Sequence, residues 1–256
     1  MFLTGDTKLT RALTRQPART LEQGITSAAL GPVDLDRAET QHAAYVKALE
    51  ELGLQVTVLP PEDDYPDSTF VEDVALLFGK LGVVTNPGAT SRNGEAVLIR
   101  PALLEHFETL SYIQPPGTLD GGDVMWAEDR VYVGLSARTN PSGVQQLAGY
   151  LVQIGLDVIS VKLQEMLHLK TGLNYLDQGN LLVTGELVEH PLLADFRPIF
   201  VPEDEAYAAN SLHVNGTVLV PAGHPVTKSL IEQRGYPVRE LEMSEFQKLD
   251  GGLSCL

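Results

Sequence analysis

The sequence predicts an α/β protein built from repeating units. Two observations carry this. A strand–turn–strand phrase ending in small residues recurs along the chain, and helical stretches interrupt the hairpins it forms. "VALLFGKLGVVTNPGATSR" (74–92) states the phrase and "GDVMWAEDRVYVGLSART" (122–139) repeats it. "QGNLLVTGEL" (178–187) is a shorter version and "LHVNGTVLVPAGHP" (212–225) a fuller one. The first three second strands recur about every 50 residues, a period typical of radial or stacked arrays. Helices between hairpins favour α/β over an all-β propeller. Four or five units fit the length, and no low-complexity linker divides the chain, so residues 1–256 are expected to form one domain.

The individual elements follow from periodicity and punctuation. Residues 34–53 read as a helix, with Ala38, His42, Tyr45 and Leu49 on one face and Gly53 as a stop. "LQVTVLP" follows as a strand. Residues 141–155 form a second helix, with proline near its start and glycine after its end, and "LDVISVKL" is the next strand. Residues 226–235 form a third helix, followed by the strand "YPVREL".

The formal net charge is −16 and the composition is 43% hydrophobic and 20% charged. That balance argues against nucleic acid and anionic membranes as partners. It suits a small cationic ligand, and it equally suits solubility alone. A single cysteine, Cys255, cannot form an internal disulfide, which favours a reducing, cytoplasmic setting. The first twenty residues lack the apolar run of a secretory signal, and no segment reaches the length of a membrane helix.

Phosphate-loop, dinucleotide, nucleophile-elbow and HExxH motifs are absent, and the histidines and cysteine lack zinc spacing. What remains is the lone thiol in "KLDGGLSCL", His168 in "EMLHLKTGLNYL", and two acid clusters at strand entrances. "YPDSTFVEDVALL" holds Asp67, Glu72 and Asp73; "PPGTLDGGDVMW" holds Asp120 and Asp123. Acids at such positions cap turns or line a site. His168 fits a core or a ligand. A thiol with a distant histidine is the pattern of a cysteine nucleophile.

These blocks, with "PARTLEQGITSAALG", "NPGATSRNGE", "VGLSARTN" and "YAANSLHVNGTVLVPAGHP", resemble the dimethylarginine dimethylaminohydrolases over nearly the whole chain and in the same order. The resemblance implies a pentein fold: a five-bladed α/β propeller with pseudo-five-fold ββαβ repeats around a central site. It implies Cys255 as nucleophile and His168 as general acid and base. Asp73 and Asp120 would grip the guanidinium, with Glu72 beside Asp73. Arg92 and Arg138 would hold the substrate α-carboxylate, and Asp67 with the carbonyls of Leu21 and Leu249 the α-ammonium. The loop carrying Leu21 would act as a lid. No cofactor or metal is implied. The implied reaction is hydrolysis of methylated arginine to citrulline and an amine through a covalent thiouronium on Cys255. Arginine deiminase chemistry and a non-catalytic pentein binding protein are the alternatives, and a homodimer is an open expectation.

Overall fold

The computed structural model describes residues 8–256. The first seven residues, part of the segment read above as lacking a secretory signal, lie outside the described residues. Five small sheets follow one another along the chain. In the first, β1 (Arg11–Arg15) pairs in parallel with β2 (Gln55–Leu59) across α1 (Leu35–Glu51). The Asp34 carboxylate caps α1 by accepting the Arg37 N–H at 3.1 Å. The expected face of α1, Ala38, His42, Tyr45 and Leu49, is buried. His42 is held neutral there, since burial lowers its pKa to about 4.

The next units repeat the antiparallel hairpin followed by a parallel strand. β3 (Ala75–Phe78), β4 (Leu81–Val84) and β5 (Leu110–Tyr112) form the second sheet, with α2 (Glu95–Leu98) and α3 (Arg100–Leu104) in the crossover. Pro101 opens α3 at a position where its missing N–H costs nothing. β6 (Val124–Ala127), β7 (Arg130–Leu135), α4 (Pro141–Leu151) and β8 (Asp157–Lys162) form the third. Asn140 caps α4 at the Gly143 N–H, 2.9 Å away, and Leu147 and Leu151 bury fully against Val124, Val131 and Val133.

The fourth unit opens with α5 (Leu169–Gly172), then β9 (Leu173–Asp177), β10 (Asn180–Val183) and β11 (Arg197–Phe200). Its crossover carries only short 3-10 turns. The fifth comprises β12 (Leu212–Val214), β13 (Thr217–Pro221), α6 (Pro225–Gln233) and β14 (Val238–Leu241), followed by α7 (Ser244–Gln247). β6 and β10 are buried along their whole length, as sheet strands covered on both faces should be.

A short helical segment precedes each of the four hairpins: the turns Val71–Val74, Gly121–Asp123 and α5, and the kinked seven-residue Glu203–Ala209. These segments and the last residues of the chain are joined in a circle. Gly122 N–H donates to Asp73 (2.9 Å) and Leu169 N–H to Asp123 (3.0 Å). Asn210 Nδ2 donates to the Lys170 carbonyl (3.2 Å) and Ser254 N–H to Asn210 Oδ1 (3.0 Å). Glu72 N–H donates to the Cys255 carbonyl (3.2 Å), closing the ring. These are five α/β units, within the four or five that the repeat anticipates and in the number of the pentein architecture that the resemblance implies. No helix among the described residues is long and apolar enough to cross a membrane.

Candidate active site

The ring brings the chemistry-bearing side chains to one centre, because each helical turn presents its residues inward at an equivalent place. One oxygen each of Asp73 and Asp120 and one nitrogen of His168 lie within 4.8 Å of one another. Asp120 is fully buried. Its Oδ1 accepts the Gly88 N–H at 2.8 Å and its Oδ2 lies 3.1 Å from His168 Nε2. The neighbouring glycines permit this closeness. A Cβ on Gly121 would run into the Glu72 carbonyl oxygen, and one on Gly122 would sit 2.7 Å from His168 Nδ1. Burial alone would lower the His168 pKa, but Asp73, the Asp120 hydrogen bond and Asp123 outweigh it and raise it to about 9. His168 is therefore an imidazolium at neutral pH. Burial likewise works to raise Asp73, yet Arg92, His168 and the Gly122 N–H bring it down to about 2.

Arg92, expected to hold the substrate α-carboxylate, is engaged within the protein. It is only 5% exposed and every guanidinium nitrogen is engaged. Nε and Nη2 form a fork on Glu95, Nη1 pairs with Asp73, and Nη2 also donates to the carbonyls of Asp67 and Phe70. The guanidinium fixes Asp73 from behind. Glu95, which the sequence reading did not single out, holds it there; the only sequence signal was the Arg-x-x-Glu spacing.

Cys255 is half-buried, and the Gly252 N–H reaches its Sγ at 3.3 Å. Burial pushes the thiol pKa up to about 12, reinforced by Glu72 and Asp73 and opposed by Gly252 and Lys170. Glu72 is not open to a ligand on both oxygens either. Its Oε1 is ion-paired with the buried Lys170 ammonium, and its Oε2 accepts the Ser254 hydroxyl at 2.9 Å.

The expected amino-acid end also converges. Asp67 and the Leu21 carbonyl lie together: a Cβ on Gly24 would lie 2.8 Å from Asp67 Oδ1 and 3.1 Å from the Leu21 carbonyl oxygen, whereas Leu249 approaches the same glycine with its side chain, at 3.2 Å. Burial raises the Asp67 pKa, with Arg92 opposing. The segment after Leu21 lies across residues 248–250. Ile25 N–H donates to Asp67 (3.0 Å), Thr26 Oγ1 to the Lys248 carbonyl (2.7 Å) and Ser27 N–H to Asp250 (2.6 Å). Arg138 is half-buried, and its guanidinium has no hydrogen-bond or ion-pair partner among the described residues. It lies near enough to Asp67 to lower that carboxyl's pKa.

Comparison with known proteins agrees with this geometry. The arginine deiminase family model matches residues 63–204. The N(G),N(G)-dimethylarginine dimethylaminohydrolase of Pseudomonas aeruginosa is 44% identical, covering 95% of this chain and 96% of that one. The Pseudomonas enzyme's structure, as a cysteine-to-serine mutant complexed with citrulline, has a TM-score of 0.96 at 43% identity, covering 97% and 98% of the two chains. A dimethylarginine dimethylaminohydrolase carrying a histidine-to-glycine change, solved as an adduct with S-methyl-L-thiocitrulline, has a TM-score of 0.94 at 43% identity, covering 96% and 98%.

Proposed function

The chain belongs to the dimethylarginine dimethylaminohydrolase family, and on that premise we propose that it hydrolyses methylated L-arginine to L-citrulline and an amine. The observation that carries the reading is the convergence of two buried carboxylates and an imidazolium in a ring that also holds a thiol. Asymmetric dimethylarginine would release dimethylamine, and monomethylarginine would release methylamine.

The guanidinium carbon is a weak electrophile because its charge is delocalised. Asp73 and Asp120 accept its N–H groups in charge-assisted bonds and turn the carbon toward Cys255 Sγ. The high thiol pKa disfavours thiolate until this cation arrives, so substrate binding itself helps ionise the nucleophile, whose proton leaves to solvent. Sulfur then bonds to carbon, giving a tetrahedral adduct. His168, an imidazolium held by Asp120, transfers its proton to the departing amine as the C–N bond breaks. A planar thiouronium remains on Cys255. The neutral His168 takes a proton from water, whose oxygen adds to the same carbon. Loss of the thiolate leaves the ureido group of citrulline.

Arg138 is the proposed partner of the substrate α-carboxylate, and Asp67 with the Leu21 and Leu249 carbonyls that of the α-ammonium. Arg92 contributes by orienting Asp73, and Glu72 by its contact with the nucleophile's turn.

The test is turnover by wild type and Cys255→Ser with asymmetric dimethylarginine, monomethylarginine and arginine. Citrulline and the methylated amine from wild type, with none from the variant, is the expected result. Citrulline and ammonia from arginine alone would move the reading to a deiminase, and no citrulline from any of the three would overturn it.

A further inference from the structure

A buried ammonium lies beneath the nucleophile. Lys170 is 1% exposed and its ammonium is ion-paired with Glu72 Oε1. Glu72 joins the nucleophile's turn at two places. Its second oxygen takes the Ser254 hydroxyl, and its N–H reaches the Cys255 carbonyl. The return path runs through Asn210, whose Nδ2 lies 3.2 Å from both the Lys170 carbonyl and Ser254 Oγ. Asn174 adds a 2.6 Å bond to the same Lys170 carbonyl. Lysine is rarely buried to this degree unless its charge is answered.

The groups facing the thiol explain what the charge does there. From the turn Val71–Val74 come two carboxylates, Glu72 and Asp73; from α5 comes the Lys170 ammonium; from the turn before it, the Gly252 N–H. Tyr45 of α1 and Tyr207 of the Glu203–Ala209 turn face it as phenols kept neutral by burial. Asp73 is already answered by Arg92 and His168. Glu72 is the carboxylate answered by Lys170.

We infer that Lys170 is a positioning residue for the nucleophile: it fixes and neutralises Glu72, so that the Ser254–Cys255 turn is held in place and its thiol can ionise. This rests on the proposed reading that Cys255 is the nucleophile. The hydrolytic reaction itself gains no atom or proton from Lys170.

The experiment measures alkylation of Cys255 by iodoacetamide, a neutral reagent, from pH 7 to pH 10.5 without substrate, with Cys255→Ser as the blank. Lys170→Met should slow labelling about tenfold at pH 8.5, equivalent to about one pKa unit. Lys170→Arg should stay within about threefold of wild type, because the charge is kept. Glu72→Gln should label about tenfold faster, since the thiolate then loses a neighbouring negative charge. Adding Glu72→Gln to Lys170→Met should restore the rate to within about threefold of wild type. Far-UV circular dichroism reports whether each variant is folded. Should Lys170→Met not fold, the Glu72→Gln and Lys170→Arg rates decide. Folded Lys170→Met with the wild-type profile, or Glu72→Gln labelling no faster than wild type, overturns the inference. Because labelling needs no turnover, these outcomes are separate from those that test the proposed reaction.

Discussion

Replacing Asp120 by asparagine removes a charge from His168 while keeping the shape of the side chain. The imidazole pKa stands at about 9 against an ordinary 6.5. Burial pulls it down; four effects raise it, and Asp120 supplies two of them, a hydrogen bond at 3.1 Å and a Coulombic attraction. Losing an opposite charge at hydrogen-bond distance lowers such a pKa by roughly 1 to 1.5 units, or about 1.4–2 kcal/mol. A pKa near 7.5 leaves about one tenth of the imidazole protonated at pH 8.5, against about three quarters in the wild type. At pH 6.5 both are almost fully protonated. The deficit of Asp120→Asn in kcat should therefore grow about eightfold between pH 6.5 and pH 8.5, on top of a pH-independent loss from weaker guanidinium binding. Citrulline formation at saturating substrate measures the first quantity. The imidazole nitrogen shifts of labelled protein, with His168 assigned by difference against His168→Gln, measure the second. A His168 pKa within half a unit of wild type would refute the claim that Asp120 sets its charge.

Two further expectations concern binding and folding. Arg138→Gln should raise KM for asymmetric dimethylarginine about 10- to 100-fold at nearly unchanged kcat, the loss of one charge-assisted pair of about 1.5–3 kcal/mol, and should leave a substrate lacking the α-carboxylate unaffected; an unchanged KM by steady-state kinetics would remove Arg138 from the site. Gly121→Ala drives a methyl group into the Glu72 backbone, so it should cost about 3 kcal/mol and lower Tm by roughly 6–12 °C in a thermal melt; wild-type stability would show that the two turns can move apart.

Local chemistry made much of this readable in advance. The helix over 34–53 is recognisable because Asp34 caps it and its apolar face repeats at helical spacing, and α4 because Asn140 and Pro141 open it. The hairpins announce themselves at Asn215-Gly216, where both residues take the left-handed conformation of a tight turn. The helices over 95–104 were harder to find. They are two short pieces of mixed polarity divided at Ile99, too brief for a periodic signal. In the site, Cys255 stands out as a lone thiol, whereas the roles of His168, Asp73 and Asp120 come from the family resemblance, because acids at strand entrances also cap turns and a histidine beside apolar residues also fits a core. The burial of Arg92 does not stand out, because a cation in a loop reads as exposed unless its counter-charges are known. Glu95 lies three residues away, but Asp73 is nineteen positions distant and comes from a different element. Lys170 was hidden similarly: its partner Glu72 is separated from it by 98 residues.

The circle of turn-to-turn hydrogen bonds has a consequence for how the protein acquires activity. Ser254 meets Glu72 across 182 residues of chain, and His168 meets Asp120 across 48. Closing loops of that length is slow, and the corresponding contacts form only after each unit has organised its own hairpin. Hydrolytic competence should thus emerge in one late step rather than grow with secondary structure. During refolding, helical circular dichroism would recover first and citrulline production last, with the interval between them timing the closure of the ring.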